Sequence, residues 1–194
     1  MKVLLDFDRW LFQLINAEWT HPVGDLVFPL LRNAFFWSPI YLFLLLFTIL
    51  NFKSKGWWWC AFFLCCFALT DIISTQIFKE SFQRLRPCMD AITSAEARML
   101  IPCSGSFGFV SSHAANHFGM AMFMYGTMHF GAKKWILLAF LWAALVSYAQ
   151  LYVGAHFPFD VLGGALLGMT IGWLAAKVFK KIVGGLIVES NEFE

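Results

Sequence analysis

Five long apolar runs decide what this chain can fold into. They cover residues 35–52, 57–78, 111–130, 135–152 and 159–179. Each run can cross the roughly 30 Å hydrocarbon core of a bilayer as a helix, which satisfies its own backbone hydrogen bonds. Hydrophobic residues make up 60% of the 194 residues and charged residues only 13%, which is more apolar than a soluble core requires. The sequence therefore predicts an all-α, polytopic membrane bundle of about five transmembrane helices in a single domain.

The N-terminal segment has a different pattern, because apolar and charged residues alternate along it. Leu4, Leu5 and Trp10 are interleaved with Asp6 and Asp8. This stripe predicts an amphipathic helix lying in the membrane interface, and the acidic residues argue against a cleaved signal peptide. We expect an interfacial helical region at 1–33, a transmembrane bundle at 35–179 and a cytoplasmic tail at 180–194.

The lysines predict the orientation of the bundle. They follow the first, third and fifth apolar runs, as Lys53 and Lys55, Lys133 and Lys134, and Lys177, Lys180 and Lys181. The positive-inside rule assigns these three regions to the cytoplasm, so the second and fourth connections lie on the outer side. Arg84 and Arg98 oppose the rule there, which suggests a ligand for positive charge. The net charge of +2 is too small and too scattered for nucleic-acid binding.

Lys79 and Arg86 are seven residues apart in the second connection, and Pro87 follows them. An ammonium group and a guanidinium fork in one region suit the oxygens of a phosphate. A simpler interpretation is that Lys79 extends from a helix end towards water and that Arg86 contacts lipid headgroups.

Two histidines lie at predicted helix starts on the same side. Ser111 and Ser112 precede an apolar helix, so the free N–H groups of its first turn favour an anion beside His113. His156 and Asp160 are four residues apart, which lets the carboxylate hold the imidazole while its other nitrogen attacks. A helix-end histidine and a structural His–Asp pair remain the alternatives.

These residues together resemble the type-2 phosphatidic acid phosphatase family, whose three motifs are K-x6-RP, PSGH and SR-x5-H-x3-D. The resemblance runs from about residue 71 to about residue 168, and the first motif is complete at 79–87. The second motif reads Val-Ser-Ser-His at 110–113. The third keeps His156 and Asp160, but its Ser-Arg pair falls on Ala149 and Gln150.

The resemblance implies a role for each matching residue. His156 is expected to be the nucleophile that forms a phosphohistidine, with Asp160 orienting it and His113 protonating the leaving oxygen. The phosphate oxygens are expected to bind Lys79, Arg86, Ser112 and Gln150, without a metal or another cofactor. Because Gln150 is neutral, its contact with phosphate would be weaker than that of an arginine. Arg84 or Arg98 could substitute for the missing charge.

The resemblance further implies a hydrolase that acts on a phosphomonoester or diphosphate lipid headgroup. Undecaprenyl diphosphate, phosphatidylglycerophosphate, phosphatidic acid and lipid A phosphate are the candidate substrates. We expect a bacterial inner-membrane protein whose site faces the periplasm and whose partners are membrane lipids. A lipid phosphotransferase with the same intermediate is one alternative. A weakly active or noncatalytic lipid-phosphate-binding variant is another, because of Gln150.

The remaining polar and small residues support further expectations. His113 and His117 could bind zinc together with His156 and Asp160, but the nearby cations oppose this. Cys88 and Cys103 could form a disulfide in the outer loop. Asp71, within an apolar run, is expected to form a hydrogen bond with a neighbouring helix. The glycines at 164, 168 and 172 predict close helix packing, either within the chain or in a homodimer.

Overall fold

The protein is a helical bundle in this computed structural model, which describes residues 2–129 and 134–187. Two π-helical turns, Leu14–Glu18 and Ile73–Phe78, link some of the helices, and Met128–His129 (β1) pairs in parallel with Leu186–Ile187 (β2). Lys133 and most of the expected tail, from 188 onwards, lie outside the described residues. The helices are α1 Lys2–Gln13, α2 Pro22–Leu31, α3 Ala34–Ile72, α4 Lys79–Phe82, α5 Ser112–Thr127, α6 Lys134–Tyr152 and α7 Pro158–Ile182.

Helix α3 is a hairpin of two arms. Lys53 has a φ of 50° and a ψ of −124°, so the chain reverses direction there. Gly56 lies so close to Thr48 that a Cβ would overlap with the Thr48 carbonyl oxygen, and the Cys60 Sγ is 3.7 Å from the Leu45 carbonyl oxygen. The break that the sequence predicts between 52 and 57 is therefore present. The second arm continues through the π-helical turn into α4, for which Gln83 is the C-cap residue.

Helix α5 lies at the centre of the bundle and runs parallel to α7. The glycines at 164, 168 and 172 pack against α5 so closely that a Cβ on each would overlap with a carbonyl oxygen of Ser111, Ala115 or Gly119. Small residues allow this approach, as expected for tightly packed membrane helices. The glycine stripe is therefore used within the chain, and a homodimer remains a prediction.

The number of membrane spans remains a prediction. Two helical segments among the described residues are long and apolar enough to cross a bilayer, Ala34–Phe82 and Pro158–Ile182, and the first of them contains the reversal at Lys53. Helix α5 has only 16 residues, or about 24 Å at 1.5 Å per residue. Most of its side chains are buried by neighbouring helices, so it needs neither the length nor the apolarity of a lipid-exposed span.

An aromatic cluster forms the core at the end of the bundle that carries Lys53. Trp59 stacks on Phe63 with ring centres 4.9 Å apart, and Phe123 and Phe179 complete the cluster. The Trp59 indole N–H donates to Thr127 Oγ1 at 2.8 Å, which satisfies the one polar atom of this side chain. The first turns of α5 and α7 lie at the opposite end, where the polar residues gather.

Candidate active site

One cavity collects most of the residues that the sequence singles out. It has a volume of about 390 Å³ and lies where α4, the first turn of α5, the loop before α7 and the segment after α2 converge. Lys79, Arg86, Ser112, His113 and His156 all line it, as the motif spacing predicts. The wall also includes Arg32, which belongs to none of the sequence motifs.

His156 lies at the base of the cavity and is only 2% exposed. Its Nε2 is 3.3 Å from Arg86 Nη1. Because a guanidinium can only donate, Nε2 accepts this bond and the neutral ring carries its proton on Nδ1. Nδ1 is 3.6 Å from Asp160 Oδ2, an ion-pair distance rather than a hydrogen bond. Burial, aided by the charges of Arg86 and Lys79, lowers the pKa of His156 to about 4.

Asp160 lies behind His156 and is fully buried. Its Oδ2 accepts a hydrogen bond from the Phe157 backbone N–H at 3.0 Å, which caps the first turn of α7. Its Oδ1 accepts from Arg84 Nη1 at 2.7 Å. The Asp160 carbonyl oxygen accepts from the Ser111 N–H at 2.9 Å, so the starts of α5 and α7 are joined at this point.

Asp8, on the N-terminal helix α1, extends this network, while the interfacial position of that helix stays a prediction. Asp8 is fully buried, forms an ion pair with Arg84, and accepts from the Phe159 N–H at 2.8 Å. Burial raises the pKa of its carboxyl group. Leu4, Phe7 and Trp10 are exposed instead. Helix α1 therefore places the carboxylate of Asp8 at the site. An acidic residue within the apolar stripe of this helix is the sequence feature that could have indicated this role.

Two cations lie deep in the cavity wall. Arg86 is 8% exposed, and its guanidinium donates to Ser106 O, Ser106 Oγ and Ala155 O at 2.8, 2.9 and 3.1 Å. Burial lowers its pKa. Lys79 is also 8% exposed, and among the described residues its Nζ has no hydrogen-bond or ion-pair partner. Both side chains therefore present positive charge to the cavity.

The first turn of α5 provides the opposite wall. Ser111 is the N-cap residue, and its side chain accepts from the Ala114 N–H. Ser112 Oγ accepts from Ser74 Oγ at 3.0 Å, and His113, in the next position, is half-buried and faces the cavity. The positive end of the helix dipole therefore points at the same space as Lys79 and Arg86.

His117 has a packing role in the structure. Its Nδ1 lies 2.8 Å from the His113 carbonyl oxygen and its Nε2 lies 3.2 Å from the Tyr41 hydroxyl, while the ring packs on Trp142. Both ring nitrogens are thus occupied. The described part of the chain contains no group of three or more His, Cys, Asp or Glu residues arranged to hold a metal ion. Asp71 accepts from Asn116 Nδ2 on α5 at 3.1 Å, which is the interhelical hydrogen bond expected for it.

The structure places Gln150 behind the cavity wall. This residue is fully buried and does not line the cavity, and its predicted contact with the phosphate stays a prediction. Its Oε1 accepts from Arg32 Nε at 3.3 Å. Arg84 and Arg98 do not supply the missing charge either. Arg84 is paired with Asp8 and Asp160, and Arg98 is paired with Asp25 at 2.7 Å.

A disulfide joins Cys88 and Cys103, as the sequence suggested, with their Cα atoms 6.1 Å apart. The loop that it closes carries Met99, Ile101 and Pro102, which line the cavity. Closing a loop of this length stabilises a fold by about 3 kcal/mol, chiefly by restricting the unfolded chain. The disulfide therefore holds the loop between Cys88 and Cys103 over the histidines.

Comparisons with known proteins agree with this arrangement. A model of the PAP2 superfamily matches residues 59–183. A lipid A 4'-phosphatase from Bacteroides thetaiotaomicron is 30% identical over 193 residues, which cover 96% of this chain and 83% of that protein. A lipid A 4'-phosphatase from Porphyromonas gingivalis is 26% identical over 189 residues, covering 92% and 75%. The crystal structure of Aquifex aeolicus LpxE has a TM-score of 0.68 at 29% identity, covering 86% of this chain and 93% of that one.

Proposed function

The chain belongs to the PAP2 superfamily, and from this premise we propose that it is a membrane phosphatase that removes phosphate from a lipid headgroup. One observation carries the proposal. Arg86 Nη1 lies 3.3 Å from His156 Nε2, so a phosphoryl group that displaces this contact would be bound by the guanidinium and would face the freed lone pair of a neutral imidazole. Phosphoryl transfer depends mainly on such positioning and on positive charge around the transferred group.

In the first step, the Nε2 lone pair of His156 attacks phosphorus and the bond from phosphorus to the lipid oxygen breaks. The electron pair of that bond goes to the lipid oxygen, which takes a proton from His113, whose imidazolium form is stabilised by the negative charge of the bound phosphate. The ring of His156 becomes positively charged, and the carboxylate of Asp160, 3.6 Å from Nδ1, stabilises this charge. In the second step, His113 takes a proton from a water molecule that attacks the phosphohistidine, and inorganic phosphate leaves.

The phosphate oxygens bind the cavity wall during both steps. Lys79 and Arg86 supply charge, and Ser112 with the backbone N–H groups at the start of α5 supplies further donors. All of these groups lie within one buried cavity, where electrostatic interactions are stronger than in bulk water. Positive charge placed before the reaction needs no reorganisation as negative charge moves towards the leaving oxygen.

We propose that the substrate is a phosphate monoester of a glycolipid of the lipid A type. The names of the two relatives described above support this choice, because each alignment covers at least 90% of this chain. The cavity lies on the outer side of the membrane in this proposal. The lysine-rich ends of the helices support that side, because Lys53, Lys180 and Lys181 are at the opposite end of the bundle from His156.

Phosphate release from a panel of lipids tests the proposal. We expect purified wild-type protein to release phosphate from lipid A faster than from phosphatidic acid, phosphatidylglycerophosphate and undecaprenyl diphosphate. A radiolabelled phosphoprotein should accumulate after rapid quenching and should be absent from His156→Ala. Release that persists undiminished in His156→Ala would contradict the mechanism. An added lipid alcohol that takes up the phosphate instead of water would identify a phosphotransferase.

A further inference from the structure

We propose that Arg32, held in place by Gln150, binds the substrate phosphate as the third cation of the cavity; this rests on the phosphatase function proposed above. Arg32 lines the cavity together with Lys79, Arg86 and the two histidines. It lies at the C-terminal end of α2, before the start of the region that matches the PAP2 model. The N-terminal segment would then contribute directly to the binding site.

The hydrogen bonding of Arg32 leaves most of its guanidinium free. Nε donates to Gln150 Oε1 at 3.3 Å, whereas within residues 2–129 and 134–187 no protein atom accepts a hydrogen bond from Nη1 or Nη2. Neither does Arg32 form an ion pair with a carboxylate in this part of the chain. The Arg32 side chain is half-buried, and this burial lowers its pKa. A bidentate anion such as phosphate would satisfy both terminal nitrogens.

Gln150 is suited to hold Arg32 without cancelling its charge. The amide is fully buried, and its Nε2 has no hydrogen-bond partner among the described residues. Leaving a buried amide nitrogen unpaired costs stability, so this position is not optimised for stability alone. A glutamate here would orient Arg32 equally well but would neutralise it. The neutral acceptor keeps the positive charge available to the cavity.

Helix α2 is fixed so that Arg32 cannot easily move away. The Tyr152 hydroxyl, at the end of α6, donates to Asp25 Oδ1 and accepts from the His21 N–H at 3.0 Å. The Phe28 ring packs on Tyr152 with ring centres 4.3 Å apart. Because Tyr152 and Gln150 lie two residues apart on α6, the same helix end anchors both α2 and the guanidinium that follows it.

Gln150 occupies the position at which the third motif has an arginine. The third motif places an arginine where this chain has Gln150, and Gln150 instead contacts an arginine from another part of the chain. The positive charge is thus retained while its origin has moved from α6 to the end of α2. A double variant that removes the arginine at position 32 and introduces one at position 150 is therefore informative. It changes the position of the positive charge but keeps the charge itself.

The test measures phosphate release and, separately, binding of inorganic phosphate, using full-length protein. We expect Arg32→Gln to lower kcat/KM for lipid A and to weaken phosphate binding by on the order of 10- to 100-fold. The double variant Arg32→Gln with Gln150→Arg should recover at least about tenfold of that loss, since one cation is restored. Arg9→Gln, which removes a guanidinium that does not line the cavity and is paired with Asp90, is the matched control and should bind phosphate as the wild type does.

A second variant keeps Arg32 in place and alters only its neighbour. Gln150→Glu should weaken phosphate binding by about tenfold or more, because the new carboxylate pairs with the guanidinium. Wild-type phosphate binding in Arg32→Gln or in Gln150→Glu would overturn the proposal. If the wild type released no phosphate from any lipid, the phosphatase proposal would fail, while the binding measurements would still decide the role of Arg32.

Discussion

The arginines and lysine of the cavity differ from the arginines of the surrounding rim in one respect, which is the presence of a carboxylate partner. In the rim, Arg9 pairs with Asp90 at 2.9 Å, Arg84 with Asp160 at 2.7 Å, and Arg98 with Asp25 at 2.7 Å. The cavity cations are Arg32, Lys79 and Arg86, and within the described residues none of them forms an ion pair with a carboxylate.

In our proposal, this difference separates cations that stabilise the fold from cations that bind the phosphate. A buried charge without a partner is costly, so a fold selected only for stability would pair or remove it. Asp71 also lies in the cavity wall, but it accepts a hydrogen bond from Asn116 and stands alone against three cations. Excess positive charge in this cavity attracts an anion such as phosphate.

Replacing a cavity cation should abolish activity without harming the fold. In Lys79→Met, we expect kcat/KM for lipid A to fall by about 100- to 1000-fold, as for loss of one transition-state donor. The melting temperature should not decrease, because no ion pair is lost and a buried charge is removed. Phosphate-release kinetics and thermal unfolding in detergent check the two effects. A clearly lower melting temperature with retained activity would place Lys79 among the structural cations.

Replacing Arg84, a rim cation with two carboxylate partners, should lower stability strongly, in contrast to the replacement of Lys79. In Arg84→Ala, Asp8 and Asp160 lose their shared partner while both remain fully buried, so we expect destabilisation by about 3–5 kcal/mol. Activity should also decrease, because Asp160 is no longer held beside His156. The double variant Asp8→Asn with Arg84→Ala should lose less stability than the sum of the single changes. Additive losses in chemical denaturation would show that Arg84 and Asp8 are not coupled.

The sequence predicts the cavity cations and the rim cations unequally well. Lys79, Arg86, Ser112, His113 and His156 could be predicted because a motif fixes their spacing and helix ends place them on one side. The hairpin at Lys53 could also be predicted, since apolar length and the lysines mark it. These features depend on local sequence, which is why they could be read without the structure.

The position of Arg32 in the cavity wall could not be predicted, because it depends on the docking of α2 against Tyr152 and on a buried hydrogen bond to a distant residue. The lysine pattern gave one indication of where Arg32 lies. It predicts that the first span starts on the outer side, which is the predicted side of the site, and Arg32 lies next to this start. Arg84 and Arg98 were candidates for the missing charge because they lie in the same loop as Arg86. Their carboxylate partners, Asp8 and Asp25, come from α1 and α2, and only the tertiary structure brings them together.

The cavity cations should also affect the titration of His156. Its pKa of about 4, against 6.5 in an unfolded chain, keeps the imidazole neutral at physiological pH. The unfolded state therefore binds the proton first, so this residue contributes stability above about pH 6.5 that is lost as the pH falls towards 4. We expect ¹⁵N NMR of labelled histidine to show a neutral His156 ring at pH 5.5, with Lys79→Met raising its pKa. A midpoint near 6.5 in the wild type would contradict the buried, cation-flanked site.

Arg9→Gln should have the smallest effect of the series. The Arg9 side chain is 23% exposed and its pair with Asp90 lies at the rim, where an ion pair contributes roughly 0.2–1 kcal/mol. We expect a small loss of stability in denaturant unfolding and activity within about twofold of the wild type. A large loss of phosphate release would mean that the rim and the cavity are not functionally distinct.

Binding of inorganic phosphate tests the distinction between the two sets of cations most directly. Ligand binding to the folded state raises the melting temperature by mass action, so the phosphate-dependent shift reports on the cavity without requiring turnover. The shift should be present in the wild type and in Arg9→Gln, and should be lost in Lys79→Met and Arg32→Gln. An undiminished shift in both cavity variants would contradict the assignment of the unpaired cations to phosphate binding.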